Sequence, residues 1–97
     1  EDETLIPESA SLEQNYPNPF NNKTTITFSV KENEEAQLEI YDLYGRLVRT
    51  FTGFDTGSHN VIWDGTDNAK KEVSSGLYFY KLKTSGNTSI RRMLLLK

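Results

Sequence analysis

From residue 25 to residue 30 the chain alternates polar and apolar side chains at every step. Thr24-Thr25-Ile26-Thr27-Phe28-Ser29-Val30 puts Ile26, Phe28 and Val30 on one face. A period of two is the mark of a half-buried strand. Residues 36–42 repeat it, with Ala36, Leu38 and Ile40 inward, after a charged turn at 31–35. A turn at Leu43-Tyr44-Gly45 leads to a third strand over 46–52, where Val48 is the best core candidate. After a loop at 53–57, residues 58–63 carry Val61 and Trp63 on one face. A polar loop follows at 64–73. Residues 76–84 place Tyr78, Tyr80 and Leu82 on one face and Leu77 and Phe79 on the other. Gly86-Asn87 makes a hairpin turn into a last strand over 88–96. No window carries apolar residues at helical spacing, and turn signals recur every ~8–12 residues. The pattern predicts an all-β fold, an immunoglobulin-like antiparallel β-sandwich of about seven strands over residues 16–97.

Residues 1–15 lack periodicity, are acidic and contain Pro7, so they are expected to be a linker from an upstream domain. The next segment, Asn15-Tyr16-Pro17-Asn18-Pro19-Phe20-Asn21-Asn22, is kinked by two prolines. Its asparagines are able to close turns through their side chains, and Tyr16 and Phe20 are expected to pin it to the edge of the core. No proline follows position 19, as a continuous ladder of backbone hydrogen bonds requires.

The 97 residues suffice for one domain, and a chain of this size leaves little room for a deep internal site. The absence of cysteine removes disulfides, thiol nucleophiles and cysteine-ligated metals. A lone histidine, His59, leaves histidine-rich metal chemistry without ligands, and no apolar run reaches the ~20 residues of a membrane span. The N-terminal stretch is acidic without an apolar core, unlike a signal peptide. The net charge of −3 hides a segregation: residues 1–39 carry nine acids against Lys23 and Lys31, whereas residues 73–97 carry five cations and no acid. Either acidic and basic strands pair within the fold, or the basic C-terminal region faces an anionic partner. With a pI near 5.1 and no basic helix or groove motif, nucleic acid is not that partner.

Catalytic chemistry finds little support. Ser58 and His59 are neighbours, so on a strand they point to opposite faces, and no Gly-x-Ser-x-Gly elbow exists. Asp64-Gly65-Thr66-Asp67-Asn68 is rich in oxygen, and Asp64, Asp67 and Asn68 are a weak calcium candidate without EF-hand spacing or a terminal bidentate Glu. Asx turns bracing the loop are the simpler reading. Tyr41, Tyr44, Phe51 and Phe54 suggest either a sugar-binding platform or the closure of a small sandwich. The chain is expected to be neither an enzyme nor a cofactor binder.

Several separated segments fit one pattern. Leu12-Glu13-Gln14-Asn15-Tyr16-Pro17-Asn18-Pro19-Phe20-Asn21 opens it, and Tyr41-Asp42-Leu43-Tyr44-Gly45-Arg46-Leu47-Val48 follows. Then come Gly57-Ser58-His59, Trp63-Asp64-Gly65-Thr66-Asp67 and Ser75-Gly76-Leu77-Tyr78-Phe79-Tyr80-Lys81-Leu82. Arg91-Arg92-Met93-Leu94-Leu95-Leu96-Lys97 closes it. The pattern resembles the C-terminal sorting domain of the type IX secretion system (type A) and is similar to the Ig-like domain of flagellar hook-capping proteins. The sequence departs from the family at Asn22, where a proline is frequent, and at Ala69-Lys70, where Asn-Gly is frequent.

The resemblance implies a secretion signal for an upstream cargo, exported through the periplasm to the cell surface or exterior of a member of the Bacteroidota. The implied partners are the outer-membrane secretion machinery, a sortase-like peptidase and the covalently linked cargo. The address is expected in Arg91, Arg92, Met93, Leu94, Leu95, Leu96 and Lys97, read as an edge strand by β-augmentation with cations steering the approach. A plainer reading has Leu94 and Leu96 filling the sandwich. A rival from another class is an accessory Ig-like binding module, for polysaccharide or protein, of a multidomain extracellular enzyme. A row of solvent-facing aromatics would favour it.

Overall fold

A computed structural model describes residues 11–97; the first ten residues of the expected linker lie outside the described residues. The strands are β1 (Ser11–Leu12), β2 (Thr24–Val30), β3 (Ala36–Tyr41), β4 (Leu47–Phe54), β5 (Gly57–Trp63), β6 (Gly76–Thr84) and β7 (Thr88–Leu95). They form a three-stranded sheet in the order β1-β2-β5 and a four-stranded sheet in the order β4-β3-β6-β7. Every strand pair is antiparallel. The result is the immunoglobulin-like sandwich that the alternation predicts. Among the described residues no helix is long and apolar enough to cross a membrane.

The inward faces meet in one core. Ile26, Phe28, Val30, Val61 and Trp63 from one sheet pack against Leu38, Ile40, Tyr78, Tyr80, Leu82, Met93 and Leu95 from the other. Trp63 is fully buried, sits edge-on to Tyr78 at 5.4 Å and leans on Phe20 at 5.7 Å. Its indole N–H donates to the Thr66 carbonyl at 2.8 Å, so the one polar atom of the largest core side chain is satisfied.

Four expectations need correction. β4 does not end at 52. Ala36 opposes Phe54 and Leu38 opposes Phe51, so Thr52 and Gly53 together face one residue of β3. This is a bulge, and Gly53 fills its left-handed position at φ +88°.

Of the two aromatics expected to pin the opening segment, Phe20 is buried at 2% exposure whereas Tyr16 stands 80% exposed. Tyr16 pairs through its backbone alone, exchanging hydrogen bonds with Thr25 at 3.0 and 2.9 Å.

The parity of β7 is the reverse of the one in which Leu94 and Leu96 fill the sandwich. Met93 and Leu95 are buried, and Leu96 is 49% exposed. The register decides it, because Met93 stands opposite the inward Tyr78.

The ordered fold also begins before position 16. Ser11 and Leu12 pair with Ser29 and Phe28, Leu12 is in the core, and Asn15 is 2% exposed. A strand of two residues leaves no periodicity to detect.

Candidate recognition site

The opening and closing segments, the two most distinctive stretches of the sequence, are joined in space. β7 lies at the edge of its sheet with β6 on one side. On its other side runs the opening segment. Phe20 N–H donates to the Leu94 carbonyl at 3.0 Å, and Leu96 N–H donates to the Phe20 carbonyl at 2.9 Å. Asn18 Oδ1 accepts from Leu94 N–H at 3.0 Å. Gln14 Nε2 donates to the Arg92 carbonyl at 2.8 Å and Asn21 Nδ2 to that of Leu96 at 3.1 Å. An exposed edge strand invites pairing with another chain, and here the outward backbone groups from the Arg92 carbonyl to the Leu96 carbonyl are occupied. β-Augmentation at these residues therefore requires the opening segment to leave.

A buried polar cluster holds that segment in place. Tyr80 Oη donates to the Glu13 carbonyl at 2.8 Å and accepts from Asn15 N–H at 2.8 Å. The Asn15 amide donates to Thr24 Oγ1 at 3.0 Å and to the Pro17 carbonyl at 3.1 Å, and Thr24 Oγ1 donates to the same carbonyl at 2.8 Å. Burial pushes the Tyr80 phenol above its ordinary pKa, against the opposing pull of the Asn15 hydrogen bond and the Arg91 charge. Asn15 and Thr24 were not singled out as site residues in the sequence. Their only signal was an asparagine and a threonine flanking the two prolines.

The residues expected to carry the address separate into three groups. Met93 and Leu95 are core. Arg91 has the inward parity, opposite Tyr80, and its Nε donates to the Leu12 carbonyl at 2.6 Å, tying β7 to β1. Arg92, Leu94, Leu96 and Lys97 face outwards to differing degrees. Lys97 is held by its own N–H to Ser75 Oγ at 2.9 Å and by its ammonium to Glu72 at 3.3 Å.

The opposite edge of the same sheet is protected in the same way. Asn68 donates its N–H to the Val48 carbonyl and accepts Thr50 N–H on Oδ1, both at 3.0 Å. The other oxygens of the 64–68 loop also turn to nearby donors. Asp67 Oδ1 accepts from Ala69 and Lys71 N–H groups at 2.9 Å each. Asp64 Oδ1 accepts the Thr66 hydroxyl at 2.6 Å, with the Arg49 guanidinium 3.5 Å away. The Thr66 hydroxyl bond and the Arg49 charge hold the Asp64 carboxyl below its ordinary range despite partial desolvation. Asp64, Asp67 and Asn68 thus each commit their Oδ1 to Asx turns and an edge cap, and a guanidinium stands beside Asp64.

The four central aromatics do not form one row. Phe51 and Phe54 pack against the core, and Tyr44 is 79% exposed in a turn with Arg46 over its ring at 5.3 Å. Only Tyr41 lies on the outer face of the four-stranded sheet, next to Phe79 across the strands and under the Lys81 ammonium at 5.0 Å. His59 packs between Phe28 and Phe54 with Nε2 2.8 Å from the Asp55 carbonyl, and Ser58 sits opposite Ser29 on the other face.

With this geometry in view, the comparisons with known proteins identify the chain. The family described as "Secretion system C-terminal sorting domain" matches residues 14–96, and the chain belongs to that family. It is a sorting signal of the type IX secretion system, which directs the protein bearing it to the cell surface or exterior.

Among solved structures the chain is similar to dimeric latent PorU from Porphyromonas gingivalis, with 22% identity and a TM-score of 0.72 over 95% of this chain and 10% of that one. It is also similar to PorZ, an essential surface component of the type IX secretion system of the same organism, with 21% identity and a TM-score of 0.63 over 87% of this chain and 11% of that one. A third likeness is to the alkylpurine DNA glycosylase AlkC of Pseudomonas fluorescens, bound to DNA containing an abasic-site analogue. It has 9% identity and a TM-score of 0.54 over 92% of this chain and 31% of that one. At these identities the likeness is one of fold. The chain spans about a tenth of PorU and of PorZ. No curated protein matches it.

Proposed function

We propose that the domain passes through the periplasm attached to an upstream cargo. We further propose that side chains within residues 91–97 carry the address read by the outer-membrane machinery, and that a sortase-like peptidase then releases the cargo. The stretch before β1 is the tether. One observation carries this reading. The closing segment alternates between core anchors, Met93 and Leu95, and outward side chains, Arg92, Leu94, Leu96 and Lys97, while its backbone is locked by the opening segment. An address written in side chains on a rigid strand is presented without unfolding, which lowers the entropic cost of recognition.

The test is export of a reporter fused upstream of residue 1, in a bacterium with the type IX machinery. Deleting residues 93–97 would remove two core side chains and confuse address with stability. Leu96→Asn combined with Lys97→Glu leaves the core intact. Export of the parent fusion, and its loss in this variant at an unchanged melting temperature, is the expected result. Export by the variant at the parent level places the address elsewhere.

A further inference from the structure

The outer face of the four-stranded sheet holds an open, largely apolar depression. One groove of about 460 Å³ is lined by Tyr41, Leu43, Phe79, Lys81 and Ile90 among others. A second of about 310 Å³, reaching Gln14 and Arg92, shares Phe79 and Ile90 with it. The two are therefore continuous across β3, β6 and β7. Cross-strand pairing alternates their chemistry: Lys81 stands opposite Ile90, and Phe79 opposite Arg92. Ile90 is 59% exposed.

The charge on this face that is not already paired is positive. Residues 73–97 contribute five cations and no acid, and Lys81, Lys83 and Arg92 share the outward parity. Two carboxylates meet the face: Asp42, which lines the larger groove, is bound to the Arg46 guanidinium at 2.8 Å, and Glu39, 7% exposed, accepts hydrogen bonds from the Gln37 amide and the Tyr41 hydroxyl. That bond to Glu39 is the main reason the Tyr41 phenol is held above its ordinary pKa.

We infer that this face, centred on Phe79 and Ile90 with Lys81 and Arg92 beside them, docks a segment of a partner protein that carries a large apolar side chain flanked by carboxylates. The inference rests on the sorting reading and names the partner chemistry for it. The occupied edge of β7 at residues 92–96 directs recognition to side chains rather than to an added strand. The grooves accept an inserted side chain, whereas a lipid surface would favour protruding apolar groups. The cations beside them match carboxylates and accelerate encounter.

The experiment compares matched substitutions in the exported reporter fusion. Ile90→Asn and Ile62→Asn replace apolar residues of equal exposure, 59% and 60%, on the two different sheets. Arg92→Glu and Lys71→Glu reverse charge on and off the face, and Arg92→Lys is the conservative rescue. The purified chains are first shown to melt alongside the parent. Ile90→Asn and Arg92→Glu are expected to lower export by about tenfold or more, the effect of ~1.4 kcal/mol of lost binding. Ile62→Asn and Lys71→Glu are expected to leave it near the parent level, and Arg92→Lys, which keeps the charge, to export more than Arg92→Glu. A photo-crosslinking residue at position 90 should capture, during export, a peptide containing an apolar residue between carboxylates.

Normal export of Ile90→Asn and Arg92→Glu overturns the inference while leaving the sorting assignment intact, because the parent is still exported. A captured peptide without carboxylates overturns it too. So does sedimentation of the parent, but not of Arg92→Glu, with phosphatidylglycerol–phosphatidylethanolamine vesicles, which would make the face a membrane reader. Failure of the parent fusion to be exported removes the sorting reading and this inference with it.

Discussion

Asn18 and Leu94, 76 positions apart in sequence, meet through a single hydrogen bond: the Asn18 side-chain oxygen accepts Leu94 N–H at 3.0 Å. The asparagine stands in for the carbonyl of a missing neighbouring strand. Asn18→Ala leaves that N–H to water at an exposed edge, and we expect a loss of about 0.5–1.5 kcal/mol. Chemical denaturation of the two chains measures it. Amide exchange at Leu94 should rise more than at Met93, whose register partner is Tyr78 on β6.

Trp63 is the most damaging single site. Its side chain is fully buried against Phe20 and Tyr78 and its N–H is bonded to Thr66. Trp63→Ala should cost on the order of 3–5 kcal/mol, much of the stability expected of a small domain. An unchanged melting temperature would refute this packing.

Lys70 holds a left-handed backbone at φ +68°, where a side chain is strained by about 1–2 kcal/mol relative to glycine. The family resemblance favours Asn-Gly at 69–70. Lys70→Gly should raise stability by about 0.5–1 kcal/mol after the glycine's larger loss of entropy, and Lys70→Val should lower it. Thermal melts of the three chains decide the order.

One oxygen each of Asp64, Asp67 and Asn68 is engaged by N–H and hydroxyl donors and by Arg49. Melting curves in calcium and in chelator should therefore coincide. A shift of several degrees would mean that the native state binds the ion.

Acid should weaken the fold through two carboxylates. Backbone donation from Arg46 is the main cause holding Asp42 below the ordinary 3.8, and the Thr66 hydroxyl is the main one for Asp64. Folded-state values lowered in this way give stability that is present above the unfolded carboxyl value and lost as pH falls through the folded ones. Stability measured from pH 6 down to pH 2 should decline across that window. Asp42→Asn and Asp64→Asn should each flatten the decline.

Much of the architecture was legible because alternation is unbroken where one face is buried. Ile26, Phe28 and Val30 fall in the core as the pattern requires, and Trp63, Tyr78, Tyr80 and Leu82 follow them. Legibility failed where alternation stops. Met93-Leu94-Leu95-Leu96 is apolar throughout, so its parity comes only from pairing with β6. Tyr16 and Phe20 look equivalent in sequence, but only Phe20 falls beside Leu95 and Trp63. The edge capping by Asn18 and Asn68 was invisible for another reason. An asparagine that closes its own turn and one that closes a distant strand are the same letter.

The joint between the opening segment and the last strand ties completion of the fold to the far end of the described chain. Synthesis delivers Phe20 long before Leu94, and the bonds between them form only when both are present in one folded chain. A chain that stops short of Leu94 lacks this joint and also the core side chain of Leu95, so closing the edge and filling the core both wait for the last few residues.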